Sequence, residues 1–160
     1  MKKTLYLLRH AKSSWKELTL SDFDRPLNKR GKYNAPFMAE KMKEKGVKPQ
    51  LIISSPAKRA KKTAKIFAEI LDVPLQLDKT LYACSSKDMI EVIHSALDTY
   101  NNVMIIGHNP ELTMVNDILS NKEIFNIPTS GIVSIAFKNK ELQKGKQIFF
   151  DYPKRYGEEV

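Results

Sequence analysis

Leu5-Tyr6-Leu7-Leu8-Arg9-His10 is a run of four apolar residues that ends on a guanidinium and an imidazole. An unbroken apolar stretch of strand length is the pattern of a strand covered on both faces, as in a parallel sheet. Val103-Met104-Ile105-Ile106 repeats it and ends at Gly107-His108, followed by Asn109-Pro110, a helix-start signal. Leu51-Ile52-Ile53 leads through Ser54-Ser55-Pro56 into a helix whose first turn carries Arg59. Two of the three histidines therefore terminate buried strands. Ligands of open α/β sheets bind outside the carboxyl ends of the strands, so Arg9, His10, Arg59 and His108 are predicted to meet there.

Working outward, strand and helix patterns alternate as far as Leu119, which predicts a three-layer α/β domain with a mostly parallel sheet. Asn28 is a candidate cap for a helix towards Lys45, with Ala35, Met38, Ala39 and Met42 on one stripe and Gly46 ending it. Pro36 predicts a kink or a fresh helix start inside that segment. Ser55-Pro56 predicts a capping residue followed by proline at the first helical position, and that helix runs to about Leu71. Its stripe of Ala60, Ala64, Phe67, Ala68 and Leu71 leaves Lys58, Lys61, Lys62 and Lys65 towards solvent. Leu75 to Leu77 read as a short strand. A helix over Lys87 to Thr99 turns Ile90, Ile93 and Leu97 inward, with His94 an ordinary helix-face residue. Pro110 opens a helix through Met114, Val115, Ile118 and Leu119. Ile132 to Phe137 and Gln147 to Phe150 then form a terminal hairpin.

The 160 residues are expected to form one domain, residues 1–160, with room for a core of ordinary size. Apolar stretches are strand-sized and the amino terminus lacks the long apolar core of a signal peptide, so a soluble, cytoplasmic monomer is the expectation, with no membrane partner. The single cysteine, Cys84, excludes an internal disulfide. A net charge of +9, from 27 Lys plus Arg against 18 Asp plus Glu, favours an anionic substrate. The lysines are spread without an interleaved aromatic stripe, which argues against nucleic acid as the partner.

Arginine stays charged and holds phosphate oxygens through paired donors, so Arg9 and Arg59 suit a phosphoryl group in transit. His10 attacks phosphorus if one ring nitrogen is unprotonated and the other N–H is held by an acceptor. His108 then serves as a cationic donor, its protonated form favoured by a bound phosphate.

Leu8-Arg9-His10-Ala11-Lys12-Ser13-Ser14-Trp15 resembles the signature of the histidine phosphatase (phosphoglycerate mutase-like) superfamily. Asp24-Arg25-Pro26-Leu27 with Gly31, Ser54-Ser55-Pro56 with Arg59 and Thr63, and Gly107-His108-Asn109 resemble its short branch, typified by the phosphohistidine phosphatase SixA. The resemblance implies a mutase-like α/β/α fold and a metal-independent phosphatase without a cofactor. His10 would be the transiently phosphorylated nucleophile, Arg9, Arg59 and His108 the phosphate pocket, and Ser13, Arg25 and Asn109 substrate contacts. Ala11 replaces the usual glycine, narrowing the room beside the phosphate. Mutase-like members carry an acidic proton donor after the third strand, where this chain reads Leu81-Tyr82-Ala83-Cys84-Ser85-Ser86, with no carboxylate until Asp88. An alkoxide leaving group needs that proton, whereas a phosphorylated imidazole leaves readily once its ring is protonated. The expected substrate is therefore a phosphohistidine-bearing carrier or signalling protein, with a small phosphomonoester as the alternative and Asp88 or Asp24 as its possible acid.

Rival chemistries fit less well. A cysteine phosphatase needs an arginine six positions after its nucleophile, and Ile90 stands there. Asp22-Phe23-Asp24 resembles the aspartate pair of magnesium-dependent dehalogenase-like phosphatases, but Leu18-Thr19-Leu20-Ser21 is no buried strand, and a turn with a cap is the expected reading. The histidines and the cysteine show no metal-ligand spacing, and no glycine-rich phosphate loop is present. A phosphate-binding module without turnover is the non-enzymatic alternative.

Overall fold

The computed structural model describes residues 2–157. Six strands, β1 (Lys3–Arg9), β2 (Leu51–Ser54), β3 (Leu75–Leu77), β4 (Asn102–Gly107), β5 (Ile132–Phe137) and β6 (Lys146–Asp151), form one sheet in the order β3-β2-β4-β1-β5-β6. β3, β2, β4 and β1 pair in parallel, while β5 and β6 run antiparallel as the expected terminal hairpin.

Both faces of the sheet are covered, which is why its central strands lack polar alternation. Leu5 and Leu7 of β1 and Val103 and Ile105 of β4 pack beneath α3 (Ser86–Thr99) and α4 (Glu111–Leu119), against Met89, Ile93, Leu97, Leu112 and Val115. On the other face Leu8, Met104 and Ile106 meet α1 (Lys29–Glu44) and α2 (Lys58–Leu71) through Met38, Met42, Ala60, Ala64 and Phe67. This is the three-layer α/β/α arrangement expected. On α3 the inward positions are Met89, Ile93, Ala96 and Leu97, with Ile90 only half-buried; on α4, Met114 and Ile118 are exposed.

Two local expectations need correction. α1 runs unbroken through Pro36, so the fresh helix start expected there as one of two outcomes does not occur. The apolar stripe on both sides of the proline is buried against α2, and the carbonyl deprived of its donor belongs to exposed Lys32, so packing outweighs one lost hydrogen bond. The second helix starts at Lys58, not Pro56, and its cap position is Ala57. Ser55 Oγ does accept from Ala57 N–H at 3.2 Å, but the serine has a further partner in the site.

Register sets the site. Arg9 pairs with Gly107 and Ser54 with Ile106, so His10, His108 and Ser55 emerge side by side one residue beyond the strands. No described helix is long and apolar enough to cross a membrane.

Candidate active site

Backbone bonds hold the emerging segments together. His10 N–H donates to the Gly107 carbonyl at 3.2 Å and Ser55 N–H to the Ile106 carbonyl at 3.0 Å. From the connection into β5, the buried Ser130 directs one N–H at both the Arg9 and His10 carbonyls, at 3.1 and 3.2 Å. Ser130 adopts a φ of 62°, a strained conformation for a non-glycine residue.

The His10 ring nitrogen Nδ1 lies 2.7 Å from the Ala11 carbonyl. A carbonyl only accepts, so Nδ1 carries the proton and Nε2 keeps a free lone pair. Burial pushes the His10 pKa down to about 3; the Ala11 hydrogen bond opposes this, and the charges of His108, Arg59 and Arg9 add to it. The ring is thus neutral near pH 7. His108, whose ring centroid is 5.1 Å from that of His10, is held at about 4 by burial and by Arg59. Its Nε2 is 2.8 Å from Ser55 Oγ. His108 is therefore neutral in the free site, where burial and guanidinium charge oppose its protonation; a bound phosphate dianion acts in the opposite direction, the condition under which its cationic form is expected.

Thr63 ties α2 to the loop that follows His10: its hydroxyl accepts from Ala11 N–H at 3.0 Å and donates to the Arg59 carbonyl at 2.8 Å. Ala11 packs with Leu27 and Ala35 and is not among the residues lining the cavity. Gly31, in the first turn of α1, lies against the same segment; a Cβ there would stand 2.2 Å from the Lys12 carbonyl oxygen.

Opposite these strand ends stands a loop, residues 15–25, closed at its base by an antiparallel bridge between Ser13 and Leu27. Its short 3-10 turn, Asp22–Asp24, is capped by Ser21 as the turn reading predicted. Asp22 does more than turn the chain. Its carboxylate meets Arg59 Nη2 at 3.0 Å and Arg25 Nη2 at 3.2 Å, and accepts from the Tyr82 hydroxyl at 2.8 Å. Partial burial works to raise its pKa, but those hydrogen bonds and the Arg59 charge hold it down to about 2. Arg25 also donates to Ser13 Oγ at 2.7 Å and lies 3.5 Å over the ring of exposed Trp15.

Together these walls enclose a cavity of about 420 Å³. Arg9, His10, Ser13, Arg25, Arg59, His108 and Asn109, the seven residues singled out in the sequence, all line it. Asn109 has its amide engaged elsewhere, donating to Asn126 and the Ile127 carbonyl and accepting from Thr113, so it braces α4 and the 126–127 loop. Three guanidiniums and Lys12 face the cavity against two carboxyl residues, Asp22 and Glu111, which makes it an anion site. Neither acid weighed from the sequence lies there. Asp24 bonds to Ser21, and Asp88 closes the capping box of α3. Cys84 is half-buried and its thiol is pushed up by burial, which suits no thiolate nucleophile.

Asp22, Ser55, Tyr82 and Glu111 are the lining or supporting groups that sequence reasoning did not place. Asp22 left one trace, an acidic residue three before Arg25 in a single turn. Tyr82 and Glu111 left none.

The model of the histidine phosphatase superfamily (branch 1) matches residues 5–108, which include Arg9, His10, Arg59 and His108. An uncharacterized chloroplastic protein of Arabidopsis thaliana is 33% identical over 131 residues, 75% of this chain; the chain spans about 60% of that relative's length. An uncharacterized protein of Mycobacterium tuberculosis is 26% identical over 113 residues, covering 71% of this chain and 70% of its own. Among solved structures, SixA of Agrobacterium tumefaciens is 26% identical with a TM-score of 0.81, over 94% of this chain and 98% of that one. The protein histidine phosphatase SixA in complex with tungstate shares the fold at 20% identity and a TM-score of 0.85, over 96% and 99%. Mycobacterial glucosyl-3-phosphoglycerate phosphatase shares it at 13% and 0.72, over 91% and 96%. With its mutase-like fold, its motif histidine at the end of β1 and these relatives, the chain belongs to the histidine phosphatase superfamily, in its SixA-like branch.

Proposed function

We propose that this phosphatase removes phosphate from phosphohistidine on a carrier or signalling protein, the 160-residue chain acting as one catalytic unit. One observation carries the reading: His10 Nδ1 lies 2.7 Å from the Ala11 carbonyl, which holds its proton there, so Nε2 offers its lone pair in the cavity lined by Arg9, Arg59 and His108. In the first step Nε2 bonds to phosphorus and the substrate's P–N bond breaks. The electron pair goes to the departing imidazole, which is neutral because its other nitrogen already holds a proton. In the second step water attacks phosphorus, the P–Nε2 pair returns to His10, and dihydrogen phosphate leaves. Neither step takes a proton from a carboxylic acid. Arg9 and Arg59 stabilise the equatorial oxygens throughout. Asp22, held ionised, orients guanidiniums and is no proton donor at neutral pH.

Glu111 favours a second reading. It is the remaining carboxyl on the cavity wall, and as a general acid it would let the same site serve a small phosphomonoester. Turnover of a phosphohistidine protein against 3-phosphoglycerate, in excess chelator, separates the two. The first reading expects preference for the phosphoprotein by a factor of about 100 or more, little changed in Glu111→Gln. Preference for the sugar-acid phosphate, lost in that variant, overturns it. His10→Asn should lower turnover by about 10³-fold or more, remove the acid-labile phosphate trapped on the protein, and leave the circular dichroism unchanged.

A further inference from the structure

On the far side of the segment that carries Arg25, Pro26 and Leu27 line a groove of about 540 Å³. Its remaining walls are Lys32 of α1 and Lys58, Lys61, Lys62 and Lys65 of α2. Lys61 is half-buried and the other four lysines are exposed. None of the five makes an ion pair with a carboxylate among the described residues. Within α2 the pairs Lys58 with Lys62 and Lys61 with Lys65 are like charges one turn apart, an arrangement that weakens a helix. The only acidic residue of α2, Glu69, lies a turn beyond them.

The groove and the catalytic pocket have no lining residue in common, but two pairs of chain neighbours link them. Arg25 precedes Pro26 and Arg59 follows Lys58, and both arginines line that pocket. We propose that the groove receives an acidic segment of the phosphorylated protein while its phosphohistidine enters the neighbouring cavity. The inference rests on the phosphohistidine reading and adds the chemistry of the partner. Ammonium groups accept carboxylates in any orientation, without the fork geometry that phosphodiesters draw from arginine. The lining holds no aromatic ring on which a base could stack, and the apolar Pro26 and Leu27 suit peptide side chains.

Two peptides test this, each phosphorylated on a single histidine with phosphoramidate, one flanked by glutamates and its twin by glutamines. Wild-type protein should show about tenfold higher kcat/KM for the acidic peptide at low salt, the scale that a few exposed charge pairs reach together. The advantage should vanish at 0.5 M salt (about 4 Å screening length) and in the combined variant Lys58→Gln, Lys61→Gln, Lys62→Gln, Lys65→Gln. Turnover of the neutral peptide, the same in both proteins, shows that the variant is folded. Equal kcat/KM for the two peptides in wild type, or an acidic advantage retained by the variant, overturns the proposal. If neither peptide is turned over, the phosphohistidine reading falls. Docking is then judged by fluorescence anisotropy of the unphosphorylated acidic peptide, which must bind wild type and not the variant. Tighter binding of a 20-nucleotide RNA than of that peptide overturns the acidic-protein assignment.

Discussion

The two walls of the catalytic cavity are built in opposite ways. On one side, His10 at the end of β1 and Arg59 in the first turn of α2 are 6% and 5% exposed, and backbone bonds from β4 and the β5 connection fix the position of His10. Across the cavity the loop bearing Trp15 and Leu18 leaves those side chains 68% and 87% exposed, and ion pairs through Asp22 tie it to Arg25 and Arg59. A wall that must place an attacking nitrogen to within a fraction of an ångström is made of buried strand ends. A wall that must admit different substrates is made of side chains on a short loop. In the proposed mechanism chemistry belongs to the first and selection to the second.

The largest break in that contrast is Gly31→Ala. Its new methyl meets the Lys12 carbonyl, backbone that adjoins Ala11 and cannot yield alone. Overpacking of this kind costs about 1–3 kcal/mol, seen as a fall in melting temperature of roughly 2–12 °C for a chain of this size. Turnover per folded molecule should fall as well, since the strain reaches the loop that carries His10.

Acid sharpens the contrast from the rigid side. The folded pKa of His10 is about 3 and that of His108 about 4, both below the ordinary 6.5 of an unfolded histidine. Between those values the unfolded chain binds the extra protons, so stability is complete above pH 6.5 and declines as pH falls. At pH 5 each histidine should remove about 2 kcal/mol relative to pH 8. Urea unfolding at the two pH values checks this, and His10→Asn should lose roughly half as much as wild type.

On the loop side, Asp22→Asn removes a carboxylate that competes with phosphate for donors of Arg25 and Arg59. Tungstate or inorganic phosphate should then bind several-fold tighter by calorimetry, on the order of 1 kcal/mol, with kcat changed less than KM. Trp15→Ala removes an exposed guanidinium stack on Arg25, a contact of about 0.5–1 kcal/mol. KM should rise two- to fivefold at constant kcat. If kcat fell instead, the loop would belong to the chemical wall.

What was legible before the structure divides along the same line. The ends of β1 and β4 could be found because an apolar strand closing on Arg-His or Gly-His is a local pattern, and sheet order alone then brings distant residues together. The fold class followed from the same alternation of elements. Asp22 was hidden because its partners Arg59 and Tyr82 lie 37 and 60 residues away and meet it only once the loop has closed at Ser13 and Leu27. Ser55 was misassigned for a different reason. A serine before a proline is a valid helix-start signal, and nothing local reveals that its hydroxyl also faces His108. The neutrality of His108 depends on burial and on Arg59, neither of which a linear pattern records.

The Ser130 amide bears on how the chain could be shortened. It grips the carbonyls on either side of the reactive imidazole from the connection into an antiparallel strand, more than a hundred positions downstream. Because β5 reverses direction, its beginning lies next to the finish of β1, and a late segment becomes the foundation of an early one. A fragment truncated shortly after α4 would keep every reactive side chain yet lose the anchor that aims the imidazole, and inventorying motif residues would wrongly credit it with activity.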